Sequence, residues 1–366
     1  MSNDQDSQYF KYYSQLQHQQ NMLQDNVRTS TYRKAIMLNR KEFNNKLVLD
    51  VGAGSGILSY FAIQAGANHV YAVEASNMAD KMMKLICSEK NKYLRDKISI
   101  VNAKIEQQNL NIPKVDTIIS EPIGVLLLHE RMLDSFIYAR DHYLKPGGTV
   151  FPSQGVIHLA PFTDTRLWKE TKSNANFWQH NSFYGVDLTS LYNDACKELF
   201  GMPVIGKFDY KSIMTTNKTE FNINFNSITM DALHDMTIPF QWTCSRTGMV
   251  NGISGWFDIV FDPPQGTQVT LSTSPLTDIT HWYQTRFLFT DPLPVKSQQS
   301  IQGWMRCIAN NYRSYTIYIE LIVGDQELSD PSLLFTDVTN LSEFKRRGVW
   351  ELQEQTYDNN QFTPSQ

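Results

Sequence analysis

Two groups of residues in this chain have the types and spacing to do chemistry. The first is Asp50 followed by Gly52, Gly54 and Gly56, at the end of the apolar run Leu47-Val48-Leu49. Glycine permits a sharp turn and a close approach of backbone to ligand. A helix-like pattern beginning with Ile57 and Leu58 follows, so free N–H groups and the positive end of a helix dipole would face that ligand. Glu74 closes the next apolar run, 69–73, about 20 residues on, where an acid suits a ribose diol. Together these residues announce an adenosine-type cofactor site. The plainer reading is a Gly-rich turn with no ligand; the flanking strand, the helix pattern and the spaced acid count against it.

The spacing bears on which cofactor. A dinucleotide fingerprint runs G-x-G-x-x-G. Here the glycines give G-x-G-x-G after Asp50, which resembles the first motif of S-adenosylmethionine-dependent methyltransferases. Glu74 serves either cofactor class and does not discriminate. The second group is Glu121, in Ser120-Glu121-Pro122-Ile123-Gly124, and Glu130. Ligands of open α/β sheets sit beyond the carboxyl ends of the strands, and Glu121 follows an apolar run ending at Ile119. Nine residues at about 100° each turn about 900°, half a turn out of phase, so the two acids cannot share one helix face. They converge only if the chain folds back, which Pro122 and Gly124 permit. Converging carboxylates beside a methyl donor want a cation, and a planar guanidinium fits best. Spacing alone leaves open that Glu130 merely caps or decorates a helix.

These groups need a parallel sheet to hold them. Runs 47–51, 69–74, 98–101, 115–120 and 149–151 read as strands. Helices fit between them, including 126–143, which stops before Lys145-Pro146-Gly147-Gly148. The alternation predicts a Rossmann-like α/β sheet with helices on both faces. Residues 1 to about 40 read as amphipathic helix rich in Gln, Tyr and Met. After Pro152 the rhythm changes to strands at 221–228, 255–261, 268–274, 282–289, 300–309 and 315–323. Turns such as Asp262-Pro263-Pro264-Gln265-Gly266 separate them, predicting an antiparallel sandwich or barrel. Residues 163–202 fit neither pattern. Their Trp168, Phe177, Trp178, Phe183 and Tyr184 either pack on the body or mark a partner surface.

Length, 366 residues, suggests two or three domains. The formal net charge is −4, and the densest basic spot, Lys345-Arg346-Arg347, is short, so no direct nucleic-acid partner is expected. No apolar run is long enough for a membrane span, and the N-terminus is too polar for a signal peptide. Cys87, Cys196, Cys244 and Cys307 are isolated, with neither metal-ligand nor disulfide spacing, so no metal and a reducing compartment are expected. Residues 358–366 are polar and expected to fray.

Several segments in order resemble the protein arginine methyltransferase family. Glu121 through Glu130-Arg131-Met132-Leu133 looks like its double-glutamate loop, and Thr280-His281-Trp282 like its threonine–histidine–tryptophan loop. Tyr9-Phe10-Lys11-Tyr12-Tyr13, Val27-Arg28-Thr29 and Val73-Glu74-Ala75-Ser76 match further motifs. Residues 158–164 and Ala175-Asn176-Phe177-Trp178 resemble the coactivator-associated branch, which makes asymmetric dimethylarginine. The resemblance covers nearly the whole chain. It implies N-terminal helices over the cofactor (1–40), a Rossmann-like methyltransferase domain (41–151), and a β-barrel substrate domain (152–366) with a helical dimerisation arm at about 163–202.

The same resemblance implies roles. Tyr9, Phe10, Gln19 and Arg28 would bind the cofactor, Arg28 at its methionyl carboxylate. The loop 52–56, with Ile57, Leu58 and Glu121, would line its methionine end. Glu74 and Ala75 would hold the ribose, and Lys104, Ile105, Glu106 and Ser135 the adenine side. Glu121 and Glu130 would clamp the substrate guanidinium, Tyr13 would close over it, and Met22 would shape its pocket. His281, beside Trp282 and paired with Asp25, is a candidate proton acceptor; a histidine merely satisfied in the core is the rival reading. The implied activity consumes S-adenosyl-L-methionine, releases S-adenosyl-L-homocysteine and methylates protein arginines, as in histones and RNA-binding proteins. A homodimer acting in nucleus and cytoplasm is expected.

Two departures stand out. The family usually has an aromatic just after the position of Gly124, where this chain has Val125. Many members have histidine at the position of Gln19, although the coactivator-associated branch has glutamine. That branch also carries an extra N-terminal domain, so this chain is expected either to lack it or to be a piece of a longer protein. The alternatives are a small-molecule methyltransferase, which the paired glutamates and His281 oppose, and a silent methyltransferase-fold scaffold, which Val125 leaves open and the intact glutamates and glycines oppose. The glycine spacing disfavours a nicotinamide dehydrogenase.

Overall fold

The structure is a computed structural model that describes residues 3–324, 326–335 and 342–358. Most of the expected frayed tail therefore lies outside the described residues. Three helices open the chain: α1 (Asn3–Tyr13), α2 (Leu16–Gln24) and α3 (Asn26–Leu38). Asp25 starts α3, its carboxylate accepting from the Arg28 N–H at 2.9 Å, as an N-cap should.

The parallel sheet follows: β1 (Leu47–Val51), α4 (Ile57–Gln64), β2 (His69–Val73), α5 (Met78–Cys87), β3 (Ile98–Val101), β4 (Val115–Ser120), α6 (Met132–Tyr143) and β5 (Leu144–Phe151). The strand order is β3-β2-β1-β4-β5, all parallel. Strand order reverses between β1 and β4, the place where such sheets open a crevice. Val48 and Leu49 are fully buried because helices cover both faces.

Two expectations are corrected. The helix 126–143 begins only at Met132. Leu126, Leu127, Glu130 and Arg131 have positive φ, so the preceding residues turn back on themselves instead of coiling. The last strand is also longer than 149–151 and runs through Pro146 and Gly147, both at its outer end where the burial is least.

The remaining elements are β6 (Gln154–Phe162), α7 (Thr165–Asn176), α8 (Tyr192–Phe200), β7 (Val204–Gly206), β8 (Thr219–Asn224), α9 (Met230–His234), β9 (Asp235–Thr243), β10 (Gly248–Phe261), β11 (Val269–Ser272), β12 (Gln284–Val295), β13 (Ser300–Ala309), β14 (Tyr315–Val323), β15 (Lys345–Glu351) and β16 (Thr356–Tyr357). They form a seven-stranded sheet, β16-β7-β12-β10-β6-β8 with β11 on β10, and a four-stranded sheet, β15-β14-β13-β9. All pairs are antiparallel except β16 with β7. One continuous apolar core joins these sheets to the parallel sheet. Strands β6 and β9 were not anticipated; β6 is almost wholly buried and lacks the alternation that exposes a strand in sequence.

The segment 163–202 carries the helices α7 and α8 joined by a stretch without α-helix, and its aromatics divide. Trp168 packs on the body, its Nε1 donating to the Phe289 carbonyl at 3.0 Å. Phe177, Phe183 and Tyr184 are exposed, Tyr184 by 94%. Among the described residues no helix is long and apolar enough to cross a membrane.

Candidate active site

The carboxyl ends of β1, β2, β3 and β4 open into one cavity of about 1120 Å³, roofed by α1 and α2 and flanked by the β13–β14 turn. At one end the loop 52–56 turns through left-handed backbone, with φ of 71°, 55° and 88° at its three glycines. A Cβ on Gly54 would stand 3.0 Å from Gln19 Oε1. Glu74 is buried and grips this loop: its Oε2 accepts from Gly54 N at 2.8 Å and its Oε1 from Ser76 N at 2.7 Å. Asp50 lies behind, accepting from Ser59 Oγ at 2.6 Å, and burial pushes its carboxyl up to about 7.

Residues 104–106 close this end. Ser135 Oγ donates to Glu106 Oε1 at 2.5 Å. Ile105, Ala75, Ile57 and Leu58 line the wall. Lys104 turns toward α1, paired with Asp6 and 5.3 Å from the Phe10 ring centre. Gly56 is a correction: it is not on the cavity wall. It starts α4, and an added Cβ would strike Met82 and Tyr60, so it serves the turn and helix packing.

At the other end Glu121 and Glu130 reach the same cavity. The fold-back that sequence only permitted has occurred. Arg28 forks onto Glu121 Oε2, Nε at 2.9 Å and Nη2 at 2.8 Å. Thus Arg28, read from resemblance as a cofactor ligand, holds the first glutamate. Tyr13 Oη donates to Glu130 Oε2 at 2.5 Å and Tyr9 Oη to the same oxygen at 3.2 Å. Tyr9, expected on the cofactor, therefore also serves the second glutamate. Burial pushes the Glu130 carboxyl up to about 7; the tyrosine hydroxyls and Arg313 pull against that shift, and the Glu121 charge adds to it. Burial and the nearby glutamate raise both tyrosines well above their ordinary range, so they stay protonated donors.

His281 Nδ1 lies 2.7 Å from Asp25 Oδ2, which also accepts from the His281 backbone N–H at 2.8 Å. Burial alone would raise Asp25, but the hydrogen bonds from His281 and Arg28 outweigh it and lower its pKa. Trp282 is buried and donates from Nε1 to the Ile123 carbonyl at 3.1 Å, so it steadies the loop after Glu121. Gln19 joins both ends, accepting from Ser55 N and donating to the Tyr13 carbonyl, each at 3.2 Å. Met22 and Val125 line the wall.

Sequence reasoning missed Asp6, His18, Tyr312, Arg313, Gln353, Gln355 and Tyr357, which also line the cavity. Arg313 lies in a turn between alternating runs, a signal for a loop and nothing more. Chemically, the cavity offers a glycine cradle with a ribose-type acid at one end and a paired-carboxylate seat for a cation at the other.

This combination of a parallel methyltransferase sheet and antiparallel sheets defines a two-part methyltransferase fold. A family model described as the arginine methyltransferase oligomerization subdomain matches residues 153–326, and one for ribosomal protein L11 methyltransferase (PrmA) matches 31–158. The Trypanosoma brucei PRMT1 enzyme–prozyme heterotetrameric complex with AdoHcy is similar, with a TM-score of 0.77 and 30% identity over 93% of this chain and 99% of that one. Arabidopsis thaliana protein arginine methyltransferase 10 gives a TM-score of 0.80 at 28% identity, over 94% and 100% of the two chains. The probable histone-arginine methyltransferase CARM1 of Oryza sativa subsp. indica is 45% identical over 86% of this chain and 58% of the relative. The histone-arginine methyltransferase CARMER of Drosophila willistoni is 44% identical over 90% and 60%. The chain belongs to the protein arginine methyltransferase family. It spans less than two thirds of the length of these two curated relatives.

Proposed function

We propose that this chain is an S-adenosylmethionine-dependent protein arginine N-methyltransferase that forms monomethyl- and asymmetric dimethylarginine. The observation that carries the reading is the convergence of Glu121 and Glu130 on the cavity that also holds the loop 52–56 and Glu74. The trypanosome complex with AdoHcy supports the cofactor, and the named histone-arginine methyltransferases support histones among the substrates. The cradle at Gly54, which a Cβ would fill, fits a nucleoside cofactor held close to backbone. Glu74 and Ala75 would hold its ribose, Lys104, Ile105, Glu106 and Ser135 its adenine side, and Tyr9, Phe10, Gln19 and Arg28 its remaining faces. When bound, the cofactor supplies an electrophilic methyl group on its sulfonium.

The chain's own residues do the rest. A substrate arginine is protonated at accessible pH, so its nitrogens are poor nucleophiles. Glu121, fixed by Arg28, and Glu130, fixed by Tyr9 and Tyr13, hydrogen-bond the guanidinium unequally. Positive charge then gathers on one nitrogen and the other keeps lone-pair character. Holding that nitrogen in line is worth up to about 7–11 kcal/mol. His281 accepts the released proton, Asp25 orienting it through Nδ1. Met22 shapes the wall that leaves room for a second methyl on the same nitrogen.

Residues 1–40, 41–151 and 152–366 divide as roof, cofactor domain and substrate domain. The exposed Phe177, Phe183, Tyr184 and Leu191, within the region matched by the oligomerization subdomain, support a homodimer seated on this arm. The histone-arginine methyltransferase names of the relatives support action in the nucleus; action in the cytoplasm is also proposed, with no direct nucleic-acid or membrane partner. The test is incubation of a histone peptide and, separately, of a cell extract with labelled cofactor, read by fragment-ion mass spectrometry. Loss of dimethylamine marks the asymmetric product and loss of monomethylamine the symmetric one. Met22→Phe should shift the mixture toward symmetric or monomethyl product. Predominantly symmetric product from the unsubstituted chain overturns the product assignment, and label on metabolites alone overturns the substrate class.

A further inference from the structure

Glu130 sits in backbone that its residue type does not favour. Its φ is 72°, and Leu126, Leu127 and Arg131 share the left-handed region at 53°, 72° and 53°. Such conformations persist only where the surroundings over-determine them. Here the turn at residues 310–314, between β13 and β14, does so. His129 Nδ1 lies 2.9 Å from Ser314 Oγ, and Arg131 Nη1 donates to the Asn310 carbonyl at 3.0 Å. Both sequence neighbours of Glu130 are thus anchored to one turn.

Arg313 stands on that turn. Its guanidinium lies over the Tyr9 ring, 4.3 Å from the centroid, and Nη1 donates to Asp6 Oδ1 at 2.8 Å. Tyr9 in turn bonds Glu130, and Asp6 also pairs with Lys104. A planar guanidinium can stack on a ring and pair with a carboxylate at once. Arg313 therefore grips α1 at two points, one of which passes directly to the glutamate.

We propose that Arg313 is a positioning residue that couples the seating of α1 over the cavity to the geometry of Glu130. This rests on the reading of Glu130 as half of the guanidinium clamp. Lifting α1 would part Asp6 and Tyr9 from Arg313, and Tyr9 and Tyr13 from Glu130, in one movement. The clamp is then complete only when the roof is seated. The groups facing the Glu130 carboxyl are Tyr9, Tyr12 and Tyr13 from α1 and its end, Glu121 with its partner Arg28, Tyr357 from β16, and Arg313. Arg313 is the cation there that directly favours the ionised carboxyl, so its loss would widen the pH range in which Glu130 stays protonated.

The experiment compares Arg313→Gln and Arg313→Lys with the unsubstituted full chain. Circular dichroism and melting first confirm that each is folded. Hydrogen exchange with S-adenosylhomocysteine bound is then read in α1 and in residues 126–131. Arg313→Gln should speed exchange about tenfold in both segments. Arg313→Lys, which keeps the Asp6 pair and loses the flat stacking, should fall between. In turnover of an arginine peptide, Arg313→Gln should lower kcat about tenfold and move the acid limb of kcat/KM to higher pH, while Arg313→Lys keeps that limb in place. Unchanged exchange in Arg313→Gln, or faster exchange in α1 alone, overturns the coupling. Failure of the arginine reading registers differently: the unsubstituted chain yields no methylarginine while the exchange of the two segments still reports on Arg313.

Discussion

The two ends of the cavity are built by different means. The heart of the glycine end is a short piece of chain, Asp50 to Ser76, folded by two neighbouring strands and fixed by backbone N–H groups on Glu74, with Gln19, residues 104–106 and Ser135 added at its rim. The glutamate end is assembled from afar: Tyr9 and Tyr13 from α1, Arg28 from α3, Trp282 before β12, and the turn 310–314. The first depends on what a backbone can do, the second on which side chains meet. Substitutions should therefore act at the first end through shape and at the second through charge.

The largest effect should come from Gly54→Val. The residue has φ 55° and a Cβ there meets Gln19 Oε1 at 3.0 Å, so both backbone and space are wrong for a branched side chain. Calorimetry should find no binding of S-adenosylhomocysteine; unaltered affinity would erase the claim that shape governs this end. Next in size, Glu130→Gln and Glu121→Gln should each lower kcat by about 10²–10³-fold, the scale for losing one preorganised electrostatic partner of a transition state. Glu121→Gln alone should also weaken the cofactor, because it strips countercharge from buried Arg28. Equal cofactor affinity in the two variants would break the proposed link through Arg28. Smaller again, Glu74→Gln replaces an acceptor of two backbone N–H groups by an amide that accepts only one. A loss of about 1–3 kcal/mol in cofactor binding by titration is expected.

The same contrast explains what was legible in the sequence. The glycine end could be read because its parts are consecutive and glycine, acid and apolar run each have a local meaning. Glu121 and Glu130 were visible as a pair, but whether they meet depended on positive φ at Leu126, Leu127, Glu130 and Arg131, none a glycine. A helix from 126 was the natural reading of their apolar spacing. The roles of Tyr9, Arg28 and Asp25 came from family likeness, and the structure adds a glutamate contact to each of the first two. Asp6 and Arg313 are 307 positions apart, and nothing in either neighbourhood announces the pair.

The sharpest effect concerns pH. Burial pushes the Glu130 carboxyl up to about 7 in the folded chain, against about 4.3 for an exposed glutamate. Between those values the folded state holds a proton that the unfolded state has lost, so stability falls as pH rises through that window and levels off above about 7. The difference of about 2.7 pH units, at about 1.4 kcal/mol each, bounds the effect near ~4 kcal/mol, and water in the open cavity reduces it well below that bound. Asp50 adds a slope of the same sign at the glycine end. Melting of the free protein from pH 5 to pH 8 should therefore show a falling Tm, and Glu130→Gln should fall less over the same range. The difference between the curves isolates the glutamate end; parallel curves would mean that Glu130 is as wet as a surface acid. Catalysis demands the opposite state, because a guanidinium clamp needs the ionised carboxylate and kcat/KM should drop below about pH 7. Folding retains the proton that turnover must remove, and an arriving guanidinium supplies the charge that reconciles the two.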